Sequence, residues 1–224
     1  MARFSRVEVA MKMKETGIIP VFYHPDPGIC YEVIKSCYNG GLRVFEFTNR
    51  GDFAHEVFAD VNKKVINDFP GMIMGAGSVI DAPTAVLYMQ TGANFIVSPA
   101  IHEDMASVCN LRKILWSPGC GSVTEISRAE ELGAEVVKIF PGSQVGGPKF
   151  VAAVKGPKPW TSIMPTGGVE PTEENLSAWF NAGVHCVGMG SQLITRDIIK
   201  NRNFDLLEKT VKNAVDILKS IRNP

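Results

Sequence analysis

Eight short apolar runs alternate with helix-patterned segments along this 224-residue chain, and that alternation limits the fold more than any single motif does. The runs fall near residues 18–23, 42–48, 72–76, 94–98, 114–117, 135–140, 162–165 and 185–187. They are rich in β-branched and aromatic residues and end at Gly, Pro or Ser, as strands do. Between them apolar residues recur at helical spacing. After the second run, for example, Phe53, Val57, Phe58, Val61 and Val65 share one helical face. Ser5-Arg-Val-Glu8 and Ser122-Val-Thr-Glu125 have the spacing of a capping box and mark two helix starts.

Strand followed by helix, repeated eight times at intervals of roughly 20 to 30 residues, is the pattern of a (β/α)8 TIM barrel. A short helix precedes the first strand. A long amphipathic helix follows the last, with Phe204, Leu207, Val211, Ala214, Val215, Leu218 and Ile221 on its apolar side. No linker-like or low-complexity segment interrupts residues 1–224, so one domain is expected. The competing architecture is an open doubly wound sheet. It calls for a glycine-rich turn after the first strand, and Tyr23-His-Pro-Asp-Pro-Gly28 is not one.

Composition narrows the function. The 23 basic and 23 acidic residues cancel, and no long run of one sign exists, so neither nucleic acid nor an anionic membrane is an expected partner. No apolar stretch reaches the about 18 residues needed to span a bilayer. Met1-Ala-Arg-Phe-Ser-Arg-Val-Glu8 lacks the apolar segment of a signal peptide. Five cysteines, odd in number and without a C-x-x-C pair, fit a reducing cytoplasm. Four scattered histidines show no ligand spacing, so no metal is expected.

In such a barrel the chemistry sits at the C-terminal ends of the strands and in the loops after them. Side chains alternate faces along a strand, so Val136, Lys138 and Phe140 share one face and Val137 and Ile139 the other. Both faces are apolar apart from Lys138. Burial disfavours an ammonium ion and leaves a neutral amine, which attacks carbonyl carbon. A lysine that snorkels out to water is the plain alternative, and this stretch alone leaves both open. On the second strand Glu46, Thr48 and Arg50 share a face opposite Phe45 and Phe47. A carboxylate inside the barrel near a lysine can move protons, and the Arg50 fork suits a carboxylate or phosphate. A Glu46–Arg50 ion pair that only holds the loop is the structural alternative.

Other strand ends add less. Gly75-Ala-Gly-Ser78 lets backbone approach a ligand. Ser98-Pro99 and Ser117-Pro118 read as strand stops. Cys120 has no histidine beside it and reads as a packed thiol; His185 reads as a satisfied core histidine. Thr166-Gly167-Gly168 and Gly188-Met189-Gly190-Ser191 follow the seventh and eighth strands, where these barrels bind phosphate through backbone N–H groups.

Four segments taken in order, Glu46-Phe-Thr-Asn-Arg50, Gly75-Ala-Gly-Ser78, Val137-Lys138-Ile-Phe-Pro141 and Pro165-Thr-Gly-Gly168, resemble the class I 2-keto-3-deoxy-6-phosphogluconate (KDPG) aldolases, grouped with the 4-hydroxy-2-oxoglutarate (KHG) aldolases. The resemblance spans about residues 15–195. It implies that Lys138 is the Schiff-base lysine and Glu46 the proton-shuttling carboxylate. It implies that Arg50 and Ser78 hold the pyruvate end with Thr166 close by, and that Gly167, Gly168, Gly190 and Ser191 bind a distal phosphate. It further implies a small keto-acid substrate, no metal or other cofactor, a homotrimer and a cytoplasmic location. The implied reaction is reversible cleavage of a 4-hydroxy-2-keto acid, foremost 2-dehydro-3-deoxy-6-phosphogluconate. The products would be pyruvate and an aldehyde, glyceraldehyde 3-phosphate or, from 4-hydroxy-2-oxoglutarate, glyoxylate.

The chain departs from the family pattern at Ser78, where threonine is usual, in the loop 142–148, and at Met189, which splits the last glycine pair. These positions bear on substrate choice and leave the lysine and glutamate alone. Two other readings remain at this level. One is a phosphosugar isomerase or epimerase using Glu46 and Lys138 as acid and base without a covalent bond. The other is a non-catalytic barrel that binds a phosphometabolite.

Overall fold

The computed structural model describes residues 2–222. Met1, Asn223 and Pro224, the ends of the expected 1–224 domain, lie outside the described residues. Eight strands form one parallel sheet: β1 (Ile18–Phe22), β2 (Val44–Thr48), β3 (Ile73–Gly77), β4 (Phe95–Ser98), β5 (Leu115–Cys120), β6 (Val137–Ile139), β7 (Ile163–Pro165) and β8 (Val187–Met189). Consecutive strands are neighbours from β1 to β7, and β8 pairs with β1. A parallel bridge between Thr166 and Gly188 joins the β7 end to β8 and completes the ring. Helices α2 (Pro27–Asn39), α3 (Ala54–Asp68), α4 (Ala82–Gln90), α5 (Glu103–Arg112), α6 (Val123–Glu131), α7 (Gly147–Lys155) and α8 (Glu173–Asn181) follow β1 to β7 in turn. After β8 come the short α9 (Arg196–Lys200) and the long α10 (Phe204–Arg222). This is the barrel that the spacing implies.

The sequence period sorts side chains into two cores. Phe45 and Phe47 of β2, Val137 and Ile139 of β6 and the inner faces of the helices form the outer one. Phe47 meets the Phe58 ring of α3 at 5.4 Å, edge to face. The alternate residues point into the barrel, where Ile19, Val44, Phe95, Leu115, Val136 and Met164 fill the lower half. Burying each contributes about 1.5–3 kcal/mol. That apolar floor offsets the desolvation of the polar groups carried above it.

Helix α1 (Arg6–Thr16) closes the barrel from below. Ser5 and Glu8 form the capping box that their spacing implies, and the helix ends at Gly17, whose φ of 70° is the left-handed geometry glycine tolerates. Val9 and Met13 are fully buried and join the barrel-floor cluster. Arg6 anchors the helix to the loops at that end, donating to Asn110 Oδ1 at 2.9 Å and to the Gly133 carbonyl at 2.7 Å. His185 lies at the same end, half-buried rather than in the core, with its Nε2 2.9 Å from the Ala10 carbonyl.

Three local expectations are corrected. The fifth strand does not stop at Ser117 but runs on through Pro118 to Cys120. Pro118 stands opposite Ser98, where β4 ends, so its missing N–H interrupts little of the ladder on that side. The eighth strand starts at Val187 rather than at His185, although the His185 N–H still donates to the Ile163 carbonyl of β7 at 2.8 Å. Phe53 is not on the buried face of α3; it precedes the helix with φ 59° and is 66% exposed.

Candidate active site

Lys138 and Glu46 meet inside the barrel near the C-terminal ends of their strands. Val136 below Lys138 belongs to the barrel floor, and the same parity turns Lys138 inward. Val44 does the same for Glu46 on β2. Lys138 Nζ lies 3.5 Å from Glu46 Oε1, with the two side chains 8% and 1% exposed. Its ammonium also faces the Phe140 ring, 5.3 Å from the centroid. The snorkelling alternative for Lys138 is thereby removed, and so is the Glu46–Arg50 ion pair, because the partner of Glu46 is Lys138.

The carboxylate is poorly satisfied. Neither oxygen of Glu46 has a hydrogen-bond partner within the protein. A buried charged group normally recruits hydrogen bonds, and leaving them unmade costs about 1–3 kcal/mol or more per group. Two further hydroxyls inside the barrel, Ser117 Oγ and Thr166 Oγ1, are also buried without partners. Four buried oxygens without partners inside one barrel, two of them on the carboxylate beside Lys138, are polar capacity that a bound molecule could meet.

Glycines on neighbouring strands give these side chains their space. A Cβ on Gly77 of β3 would stand 1.9 Å from Glu46 Oε1, and a Cβ on Gly188 of β8 would stand 2.3 Å from Thr166 Oγ1. The glutamate therefore lies across bare backbone. The glycine spacing in the sequence suggests ligand approach, whereas Gly77 makes room for the Glu46 carboxyl group itself.

A cleft of about 530 Å³ opens at this end of the barrel, a volume suited to a small metabolite, and neither Lys138 nor Glu46 is among the residues that line it. Thr48 and Phe140, each two residues beyond Glu46 and Lys138 in the chain, line it. Arg50 enters from the β2 end, exposed at the rim. Thr166, Gly167 and Gly168 contribute from the β7 turn, and Gly190 and Ser191 from the β8 turn. Gly167 and Gly168 have φ of 99° and 78°, so side chains there would be strained. Gly142 and Ser143 N–H groups donate to the Thr166 and Gly167 carbonyls at 2.8 and 3.0 Å, fixing that turn.

Ser78 does not line this cleft; it follows β3, half-buried, with φ 57° in the left-handed region. His24 also stays outside it, with Nδ1 accepting from the Asp26 N–H at 3.0 Å. Cys120 is a buried thiol pushed up to about 12 by desolvation, far from the reactivity of a thiolate. Depressions of about 690 and 720 Å³ lie at the opposite end of the barrel around α1. They lie away from the Lys138–Glu46 pair, so volume does not identify the site.

The cleft also contains Tyr23, Gln192 and Arg196, which the strand-end reading passes over. Arg196 opens α9 directly after Thr195, whose hydroxyl caps the helix by accepting the Ile198 N–H at 3.3 Å. The available signal was its place a few residues beyond the β8 glycine turn. Among the described residues no group of three or more His, Cys, Asp or Glu is arranged to hold a metal ion. No described helix is long and apolar enough to cross a membrane.

Comparison with known proteins places this arrangement. The family model for KDPG and KHG aldolase matches residues 9–210. A 2-dehydro-3-deoxy-phosphogluconate aldolase of Pseudoalteromonas atlantica is 33% identical over 200 residues, 88% of this chain and 89% of that one. The KHG/KDPG aldolase of Escherichia coli is 28% identical over 199 residues, 89% of this chain and 91% of that one. A crystal structure of KDPG aldolase from Legionella pneumophila superposes with a TM-score of 0.82 at 27% identity, covering 92% of this chain and 97% of that chain. That enzyme holds pyruvate captured at low pH as a covalent carbinolamine. With the match running nearly from α1 into α10, this chain belongs to the KDPG and KHG aldolase family.

Proposed function

We propose that this chain is a class I aldolase that reversibly cleaves 2-dehydro-3-deoxy-6-phosphogluconate to pyruvate and glyceraldehyde 3-phosphate. Cleavage of 4-hydroxy-2-oxoglutarate to pyruvate and glyoxylate is its second reaction. The observation that carries the reading is the Lys138 amine held 3.5 Å from an otherwise unpartnered Glu46 carboxylate in the barrel interior.

The carboxylate takes a proton from the lysine, and the free amine attacks the C2 ketone. Glu46 returns protons as the carbinolamine loses water to give an iminium ion. The positive iminium draws electrons from C3. When the C4 hydroxyl gives its proton to Glu46, directly or through water, the C3–C4 bond breaks and the aldehyde leaves. The electron pair of that bond becomes the enamine of pyruvate. Glu46 then protonates C3, and water hydrolyses the iminium to release pyruvate and regenerate Lys138. Arg50 at the rim holds the keto-acid carboxylate so that C2 faces the amine. Thr166 Oγ1, buried and unpartnered, and Ser78 assist at the pyruvate end. Gly167, Gly168, Gly190 and Ser191 receive the distal phosphate through backbone N–H groups and a hydroxyl.

The same reading takes the chain as one aldolase domain, acting in the cytoplasm as a homotrimer. Sedimentation equilibrium tests the trimer.

Borohydride reduction in the presence of pyruvate tests the chemistry. A reduced pyruvyl adduct is expected on the peptide carrying Lys138 and not in Lys138→Ala. Glu46→Gln should still form some adduct while turning over slowly. An isomerase using the same pair without a covalent bond would trap nothing. Rapid turnover by Lys138→Ala would refute the covalent scheme.

A further inference from the structure

The cleft at this end of the barrel is lined by two arginines, Arg50 and Arg196, and by no acidic residue. None of the ion pairs among the described residues involves either of them. In a chain whose formal charges cancel, this leaves one concave surface with two uncompensated guanidinium groups. They enter from different elements. Arg50 follows β2, and Arg196 begins α9 beyond the β8 turn.

The segment that carries Arg196 is firmly built. Leu193 and Ile194 N–H groups both donate to the Gly190 carbonyl at 3.0 Å, folding the chain back after β8. Leu193, Ile194 and Ile198 are buried beneath it, and the Thr195 cap sets the direction of the next residue. The backbone that carries Arg196 is therefore fixed, and Arg196 lines the same cleft as Ser191.

The geometry points to Arg196 as the residue that selects a phosphorylated distal end in the substrate. This inference rests on the aldolase reading above and refines it. Arg50 serves the carboxylate at the reacting end, so the second fork is available for a second anion. A phosphate monoester carries three terminal oxygens and up to two charges. It can accept both N–H groups of a guanidinium and still meet Ser191 and the glycine turns. A terminal hydroxyl offers Arg196 no charge to pair.

Steady-state kinetics on three acids test this: 2-dehydro-3-deoxy-6-phosphogluconate, its unphosphorylated counterpart, and 4-hydroxy-2-oxoglutarate. A charge-assisted hydrogen bond corresponds to about a 10- to 100-fold effect. Arg196→Ala should lower the kcat/KM ratio of phosphorylated to unphosphorylated acid by about that factor, chiefly through KM, and Arg196→Lys should recover part of it. A ratio unchanged in Arg196→Ala, or an equal loss on all three acids, would overturn the assignment. Wild-type protein that releases no pyruvate from any of the three would instead refute the aldolase reading itself.

Discussion

Gly77 offers a direct test of how the active carboxylate is held. It lies on β3 opposite Thr48 of β2, and its φ is not in the left-handed region, so alanine fits the backbone there. The obstacle is Glu46. The new Cβ would stand 1.9 Å from Oε1, 2.5 Å from Cδ and 2.7 Å from Cγ. Non-bonded heavy atoms rest about 3.5–4.0 Å apart, so the carboxylate must retreat by more than about 1 Å. Any such retreat changes its 3.5 Å separation from Lys138 Nζ. Misplacing a catalytic group by about 1 Å costs about 100-fold in rate. Forcing a methyl group into a packed interior costs about 1–3 kcal/mol, equivalent to about 2–12 °C in Tm for a chain of this size.

Gly77→Ala should therefore lose about 100-fold in pyruvate release in a lactate dehydrogenase-coupled assay, with a lower Tm by circular dichroism. Shortening the acid by one methylene makes room, so adding Glu46→Asp to Gly77→Ala should restore part of the lost Tm. Gly156→Ala is the control, since its Cβ would meet nothing nearer than the Ala153 carbonyl at 3.5 Å, and it should match wild type. A Gly77→Ala enzyme with wild-type kcat and unchanged Tm would show that Glu46 does not occupy the space above Gly77.

Two further outcomes follow from buried titratable groups. Desolvation pushes the Cys30, Cys109 and Cys120 thiols up to about 12, and raises Cys37 and Cys186 still further. A thiol reagent at pH 8 should leave the native protein essentially unlabelled and titrate five thiols after unfolding; fast labelling of native Cys120 would contradict its burial. Burial holds His185 below its ordinary value near 6.5, and repulsion from Lys14, Arg222 and Lys155 adds to this while the Ala10 carbonyl partly opposes it. Below about 6.5 the unfolded chain then binds more protons than the native one, so the stability present above that pH is lost as pH falls through the interval. In urea titrations His185→Gln should flatten this fall relative to wild type, and identical pH profiles would refute the linkage.

Much of this architecture is legible in one dimension because it depends on local periods. The two-residue period of β6 sends Lys138 inward once Val136 is recognised as core, and the same parity acts on Glu46 through Val44. The capping box at Ser5 and the Ser122 cap state where helices begin because both partners lie within one turn, although at Ser122 the box is not reciprocal, since Glu125 accepts from the Gly121 N–H instead. Pro118 misleads because proline is a strand stop only where its N–H is needed, and that depends on where the neighbouring strand ends. Arg196 escapes notice for a related reason. In sequence it is an arginine in a helix first turn, and only the fold-back through the Gly190 carbonyl brings it over the cleft.

Gly77 marks the deeper limit. Its meaning lies in a pairing with Glu46 across adjacent strands, 31 positions apart in the chain, and nothing near Gly77 announces which side chain needs the vacancy. Glycines at strand ends can turn the chain, admit a ligand, or clear space for a catalytic group, and the sequence signal is the same for all three. The distinction becomes physical only when register is fixed. A slip of one residue between β2 and β3 would set Glu46 against Ala76 and turn Gly77 to the helix layer. The apolar floor that holds the register, through Val44 opposite Ile73, is therefore also what keeps the carboxylate within reach of Lys138.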